Sequence, residues 1–245
     1  MCTVSFIQTE NKVIITSNRD EKIVRPSAFP PKKMMSTADG AIYYPVDAQA
    51  GGTWFIANNK GDVGVLLNGA HQKHKPQPSY KQSRGSILPA LFSEENPWEA
   101  LTKFNFNGIE NCTLVLNIDC QLKECIWDGK ELRITKLDVS ERYIWSSVTL
   151  YSDKMIAERR EWFEEFNNAN PYPSQQDIIN FHTYTGKGNN HYGLKMNRNN
   201  AMLTVSITSA AISEEETLLQ YIDCLKDNHT THRIKNKLNK LIGHE

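Results

Sequence analysis

The chain has 245 residues, 39% hydrophobic and 23% charged, enough to enclose a large core in one or two domains. Its 28 Lys plus Arg balance 28 Asp plus Glu, so no global field draws it to nucleic acid or an acidic membrane surface. No run approaches the roughly 18 apolar residues of a membrane span, and the start lacks a signal-peptide pattern. Five cysteines without dense spacing suit free thiols, so the expected location is the cytoplasm.

Cys2–Gln8 and 12–18 are β-rich runs joined by Thr9-Glu10-Asn11, a hairpin signal. Residues 22–50 carry Pro26, Pro30, Pro31, Pro45 and Asp39-Gly40, which predicts a long loop. A second hairpin follows over 53–58 and 63–68, its arms nearly all apolar, as at the centre of a sheet. Residues 71–83 are polar and loop-like. Ile87–Phe92 and 97–104 read as helices, with Ser86 as a cap for the first and Pro97 in a first-turn position. Short strands are expected over 113–119, 124–127, 132–137 and 143–148. Helices follow over 153–167 and 174–184, then a flexible 186–190 loop. Strands return over 201–212 and 218–225, and 233–240 fits a helix or a last strand. Hairpin groups flanking a helical middle predict two stacked sheets with helices outside, an α+β layered fold. The whole chain, 1–245, reads as a single domain.

Cys2 carries the most chemistry. Removal of Met1 would expose a Cys with a free α-amine, placing a thiol whose ordinary pKa is near 8.5 beside an amine of roughly 7.7–8.0. Nucleophile and base then share one residue. Asp20 closes the second strand and could hold that amine by a charge-assisted hydrogen bond. Arg19 alternates to the other face; it either lowers the thiol pKa or pairs with Glu21. Asn68 ends an apolar strand, as an oxyanion donor or a turn former before Gly69. Trp54 fits core or substrate wall, and Ser147 fits a strand end or an oxyanion donor. His71 and His74, three apart, lack a helical setting, so no metal site is expected, and His182 and His191 read as ordinary singles. Cys120 and Cys125 read as packing residues.

Asn18-Arg19-Asp20-Glu21, behind a second-position Cys, resembles the signature of the NRDE or transport and Golgi organisation 2 family. Arg25-Pro26, Gly51-Gly52-Thr53-Trp54, Asn59-Lys60-Gly61, Leu66-Leu67-Asn68 and Ser83-Arg84-Gly85 continue the resemblance in order across the first 95 or so residues. His191-Tyr192-Gly193 resembles a later turn of the family, with Lys195 where an arginine is expected. The family is similar to N-terminal nucleophile hydrolases of the bile-salt-hydrolase and penicillin-V-acylase type.

That resemblance implies a four-layer αββα sandwich of two antiparallel sheets. It also implies a cysteine hydrolase that cleaves a small non-peptide amide or acyl compound through a Cys2 thioester. Cys2, Arg19, Asp20 and Asn68 would be catalytic, and Asn18, Trp54, Ser147 and Lys195 would contact substrate. A second oxyanion asparagine expected near Ser147 is absent. Cys2, Asp20 and Asn68 are expected to converge on one pocket. No resident cofactor is implied, and the expected partner is a small-molecule substrate. The rival implication is a non-catalytic carrier of haem or acyl-lipid and coenzyme A compounds on the same fold; haem would bind non-covalently, since no C-x-x-C-H motif is present.

Overall fold

The computed structural model describes residues 2–35, 40–77 and 79–237. In chain order they form β1 (Cys2–Gln8), β2 (Val13–Lys22), β3 (Phe29–Met35), β4 (Ala41–Val46), β5 (Phe55–Asn58) and β6 (Val63–Asn68). Two helices follow, α1 (Ile87–Phe92) and α2 (Pro97–Lys103), then β7 (Cys112–Ile118), β8 (Gln121–Trp127), β9 (Leu132–Leu137) and β10 (Tyr143–Ser146). The chain continues through α3 (Asp153–Ala169), α4 (Gln175–Tyr184), β11 (Asn197–Arg198), β12 (Met202–Ile212), β13 (Glu216–Asp223) and β14 (Asn228–Lys235).

The strands make two antiparallel sheets. One runs β10-β1-β2-β12-β13-β14 with β11 on β12; the other runs β3 to β9 in sequence order. Alternation along β1 decides which face is which. Val4 and Phe6 join Ile15, Phe55, Val65, Val115 and Leu219 in the core between the sheets, while Ile7 packs outward under Phe163, Ile178 and Phe181 of α3 and α4. On the far side, α1 and α2 lay Leu88, Leu91 and Leu101 on Ile56, Leu66 and Leu114. The layers are therefore helix, sheet, sheet, helix, as expected. Among the described residues no helix is long and apolar enough to cross a membrane.

The loop expected over 22–50 is a correction, because it holds β3 and β4. β3 is an edge strand, and its ladder breaks register between Phe29 and Lys32, where Pro30 and Pro31 cannot donate. An edge tolerates missing donors, so the prolines do not break the strand. The apolar hairpin β5–β6 does occupy the middle of its sheet. Ser86 makes no capping bond to α1; Ser83 instead caps the short turn at Arg84–Ser86. The tail expectation resolves to strand β14 up to Lys235, and 238–240 lie outside the described residues.

Candidate active site

The register of β1 on β2 sets the site. Cys2 pairs with Arg19 and Thr3 with Asn18, so Asp20 stands one rung beyond Cys2. The period-2 pleat sends Arg19 and Asp20 to opposite faces.

Arg19 points between the sheets and is 5% exposed. Its guanidinium lies 2.5 Å from Asp47 Oδ2, 3.6 Å from Glu21 and 4.4 Å from the Trp54 ring centre. Asp47 is the hub of this cluster. It also receives Arg25 through Nε and Nη2 at 2.8 Å each and the backbone amides of Gln49 and Ala50. Burial pushes its carboxyl up, but the Arg25 hydrogen bonds, the Ala50 amide and both guanidinium charges outweigh that and hold it below the usual range.

Two sequence blocks that are far apart in the chain meet here. Thr53 donates its amide to Gly85 O at 2.9 Å, and Gly52 backs so closely on Gly85 that a Cβ at position 52 would stand 2.5 Å from the Gly85 carbonyl carbon. Gly52→Ala is therefore expected to cost about 1–3 kcal/mol by overpacking, read as a lowered melting temperature. Gly51 adopts φ +69°, which suits the turn into this contact.

The resulting cavity has a volume of about 130 Å³ and is walled by Arg19, Glu21, Asp47, Trp54, Asn68 and Arg84 among others. Ser147 fixes the Asn68 end, donating Oγ to Asn68 O at 2.7 Å. Among the described residues, larger hollows of about 770, 490, 360 and 310 Å³ border neither Arg19 nor Asn68.

The opposite face of β2 is sealed under α3 and α4. Asp20 is fully buried, accepting Tyr151 OH and Thr204 Oγ1 at 2.6 Å each. Burial raises its pKa, against the opposing charge of Arg159 and these two bonds. Arg159 of α3 is fully buried too. It donates to Thr3 Oγ1 at 2.5 Å and to the carbonyls of Tyr192 and Gly193, and covers the Tyr151 ring at 3.6 Å.

His182 bridges β1 and β2 from α4. Its Nε2 lies 2.8 Å from Ser5 Oγ and its Nδ1 2.8 Å from Asn18 Oδ1, while Asn18 Nδ2 donates to His182 O and Leu194 O. The amide oxygen only accepts, so Nδ1 carries the proton and Ser5 donates to Nε2. The trio mimics a serine–histidine–asparagine catalytic set, but all three residues are fully buried and no substrate reaches them. They fasten the helices to the strands.

Burial, then the field of Arg159, push His182 down to about 3. The unfolded chain binds a proton below about 6.5 that the fold refuses, so this stability is complete above about pH 6.5 and is lost as pH falls toward 3. Melting temperature against pH should fall across 6.5 to 4.5, and His182→Gln should flatten that slope.

The structure thus brings Arg19, Trp54 and Asn68 to one cavity, with Ser147 hydrogen-bonded behind Asn68. It does not bring Asp20 there: the expected convergence of Asp20 and Asn68 is corrected, since the pleat puts Asp20 on the helix-covered face. Asn18 is a buried strut and Lys195 is exposed away from the cavity. His182 is no ordinary single, and His74 contacts Glu110 at 3.2 Å. Sequence reading missed Asp47, Tyr151, Arg159 and Thr204. A signal for Arg159 existed, because it falls on the helical stripe of Met155, Trp162, Phe163 and Phe166. The other described cysteines are poor nucleophiles: burial pushes Cys112 and Cys125 up to about 12 and Cys224 up to about 11, and it raises Cys120.

Two antiparallel sheets between helical layers make a fold that solved hydrolase structures share. The C2A mutant of the conjugated bile acid hydrolase from Clostridium perfringens superposes with a TM-score of 0.55 at 14% identity, covering 100% of this chain and 99% of that one. A second variant of that enzyme gives 0.54 at 13% identity, over 98% and 100%. The Caenorhabditis elegans ortholog of N-acylethanolamine-hydrolyzing acid amidase gives 0.58 at 10% identity, over 85% and 92%. A search of curated proteins finds no match. The chain belongs to the Transport and Golgi organisation 2 family, whose profile matches residues 1–244.

Proposed function

We propose that this protein is a cysteine N-terminal nucleophile hydrolase, acting on a small non-peptide amide or acyl compound after Met1 is removed. The observation that carries the reading is the register that sets Cys2 opposite Arg19, itself a wall of the Asn68 cavity, within a fold shared end to end with a conjugated bile acid hydrolase. Residues directly opposed in an antiparallel ladder share a face, which favours Cys2 acting from the side of the cavity.

In this mechanism Cys2 Sγ attacks the acyl carbon and its proton passes to the α-amine. Charge moves to the carbonyl oxygen, to which Asn68 Nδ2 donates. Collapse breaks the C–N bond, and the leaving amine takes the proton back from the α-ammonium. Water then attacks the thioester, with the same amine as base, releasing the acid and restoring the thiol. Arg19, opposite Cys2 in register and held by Asp47 over Trp54, is the cation assigned to favour the thiolate. Asp20, one rung past Cys2, holds the amine from below.

A cavity of about 130 Å³ suits the reacting head of a substrate, since a whole drug-sized ligand fills roughly 300–1,000 Å³. The free thiols at Cys112, Cys120, Cys125 and Cys224 support a cytoplasmic setting.

The test is turnover of a panel of N-acyl amides. Asn68→Ala should lower kcat about 10²–10³-fold with an unchanged melting temperature, the loss of one oxyanion donor. A large fall in melting temperature with kcat preserved in the folded fraction would return Asn68 to a structural role.

A further inference from the structure

We propose that Arg159 balances the charge of Asp20 beneath β1, so that the α-amine of Cys2 stands neutral near pH 7 and takes the thiol proton. The inference rests on the hydrolase reading above and extends it to the origin of the base.

Asp20 is the carboxylate nearest in register to the freed amine. A carboxylate alone would stabilise an ammonium and spoil the base. Here that carboxylate already has its counter-charge. Arg159 is fully buried, bonds Thr3, the next residue along from Cys2, and spans the Tyr192–Gly193 carbonyls. Tyr151 links the two, giving its hydroxyl to Asp20 and its ring face to Arg159. Thr204 takes up the other Asp20 oxygen. Asp20 and Arg159 sum to zero, so an ammonium one rung from Asp20 and one residue from the Arg159–Thr3 bond finds no carboxylate charge left to compensate it. Arg159 cannot yield its proton, so the amine does.

The remaining ionisable groups around the end of β1 do not restore a balance for the cation, and Arg198, 5.5 Å from the Tyr151 ring centre, adds a further positive charge. His182, from α4, is neutral and already shows the expulsion of a second positive charge, its pKa pushed down by burial and by Arg159. Cys224, after β13, is held as a thiol by burial. Arg19 lies on the other face and is paired with Asp47. Lys195 is exposed.

Arg159 acts through Asp20 and the amine, so it is a positioning residue. The experiment uses full-length protein labelled with [13C]cysteine, its Cys2 thiol first capped with iodoacetamide so that only the amine titrates, followed by NMR from pH 5 to 9. The expected wild-type midpoint lies about one unit or more below the ordinary 7.7–8.0. Arg159→Met should raise it by about one unit, and Arg159→Lys should stay near wild type. A merely structural arginine would change melting temperature and leave the midpoint in place, and that result overturns the proposal. So does a wild-type midpoint at 8 or above, a measurement that stands even where Arg159→Met fails to fold. Intact mass on the same sample separates the two readings. Retained Met1 sinks the hydrolase reading and this inference together, whereas a trimmed, reactive Cys2 with an ordinary amine sinks this inference alone.

Discussion

Cys2→Ala is expected to abolish hydrolysis while leaving the fold untouched. Removing the nucleophile of an enzyme whose catalytic groups act as a unit costs on the order of 10⁴–10⁶ in kcat. Alanine is as small as cysteine at the second position, so trimming of Met1 proceeds and the α-amine survives. The variant therefore isolates the sulfur. Melting temperature should stay within a degree or so of wild type. Activity persisting in Cys2→Ala would mean that another group attacks. The other described thiols are unsuited to that, Cys112 and Cys125 being buried and pushed up to about 12.

The largest effect on stability is expected from Asp47→Ala. Asp47 answers two arginines at once, and Arg19, 5% exposed and stacked on Trp54, would keep its charge with its carboxylate partner at 2.5 Å removed. Breaking one side of a buried pair costs about 3–5 kcal/mol, which for a chain of this size lowers the melting temperature by roughly 6–20 °C. The pH dependence has a definite sign. The Asp47 carboxyl is held below its ordinary pKa in the fold, so its contribution is fully present above the unfolded carboxylate pKa of about 3.9 and is lost as pH falls through the lower folded value. Wild type and Asp47→Ala should converge in melting temperature at strongly acidic pH. A gap that stays constant would mean that Asp47 packs rather than pairs.

The parts of this architecture that follow a simple period were readable from sequence. β1 alternates over Thr3–Phe6, β2 opens on a β-branched run, and β5 and β6 are nearly continuous apolar runs around a tight turn, so both hairpins emerge directly. β3 and β4 did not, because Pro30 and Pro31 read as breakers, and only the tertiary position of β3 at a sheet edge makes them tolerable. The site shows the same division. Arg19 and Asn68 were legible as strand-end polar residues, and the pleat alone says that Arg19 and Asp20 part ways. Period 2 cannot say which face a helix will seal, so the burial of Asp20 under Arg159 and Tyr151 was hidden. Arg159 sits among Glu158, Arg160 and Glu161, and only its place on the Met155, Trp162, Phe163 and Phe166 stripe sets it apart from them. Asp47 falls in the 22–50 stretch whose composition reads as loop, and only folding brings Gly52 against Gly85 to seat it beside two arginines.

The central claim is that Cys2 becomes the N-terminal nucleophile, and one experiment addresses it directly. Protein from its native host is weighed intact, then alkylated with iodoacetamide at pH 6–7 and mapped by peptide. The account predicts a mass lacking Met1 and labelling of Cys2 well ahead of Cys112, Cys120, Cys125 and Cys224, with turnover falling in step. A mass that retains Met1, with Cys2 labelled no faster than the other four, would contradict it.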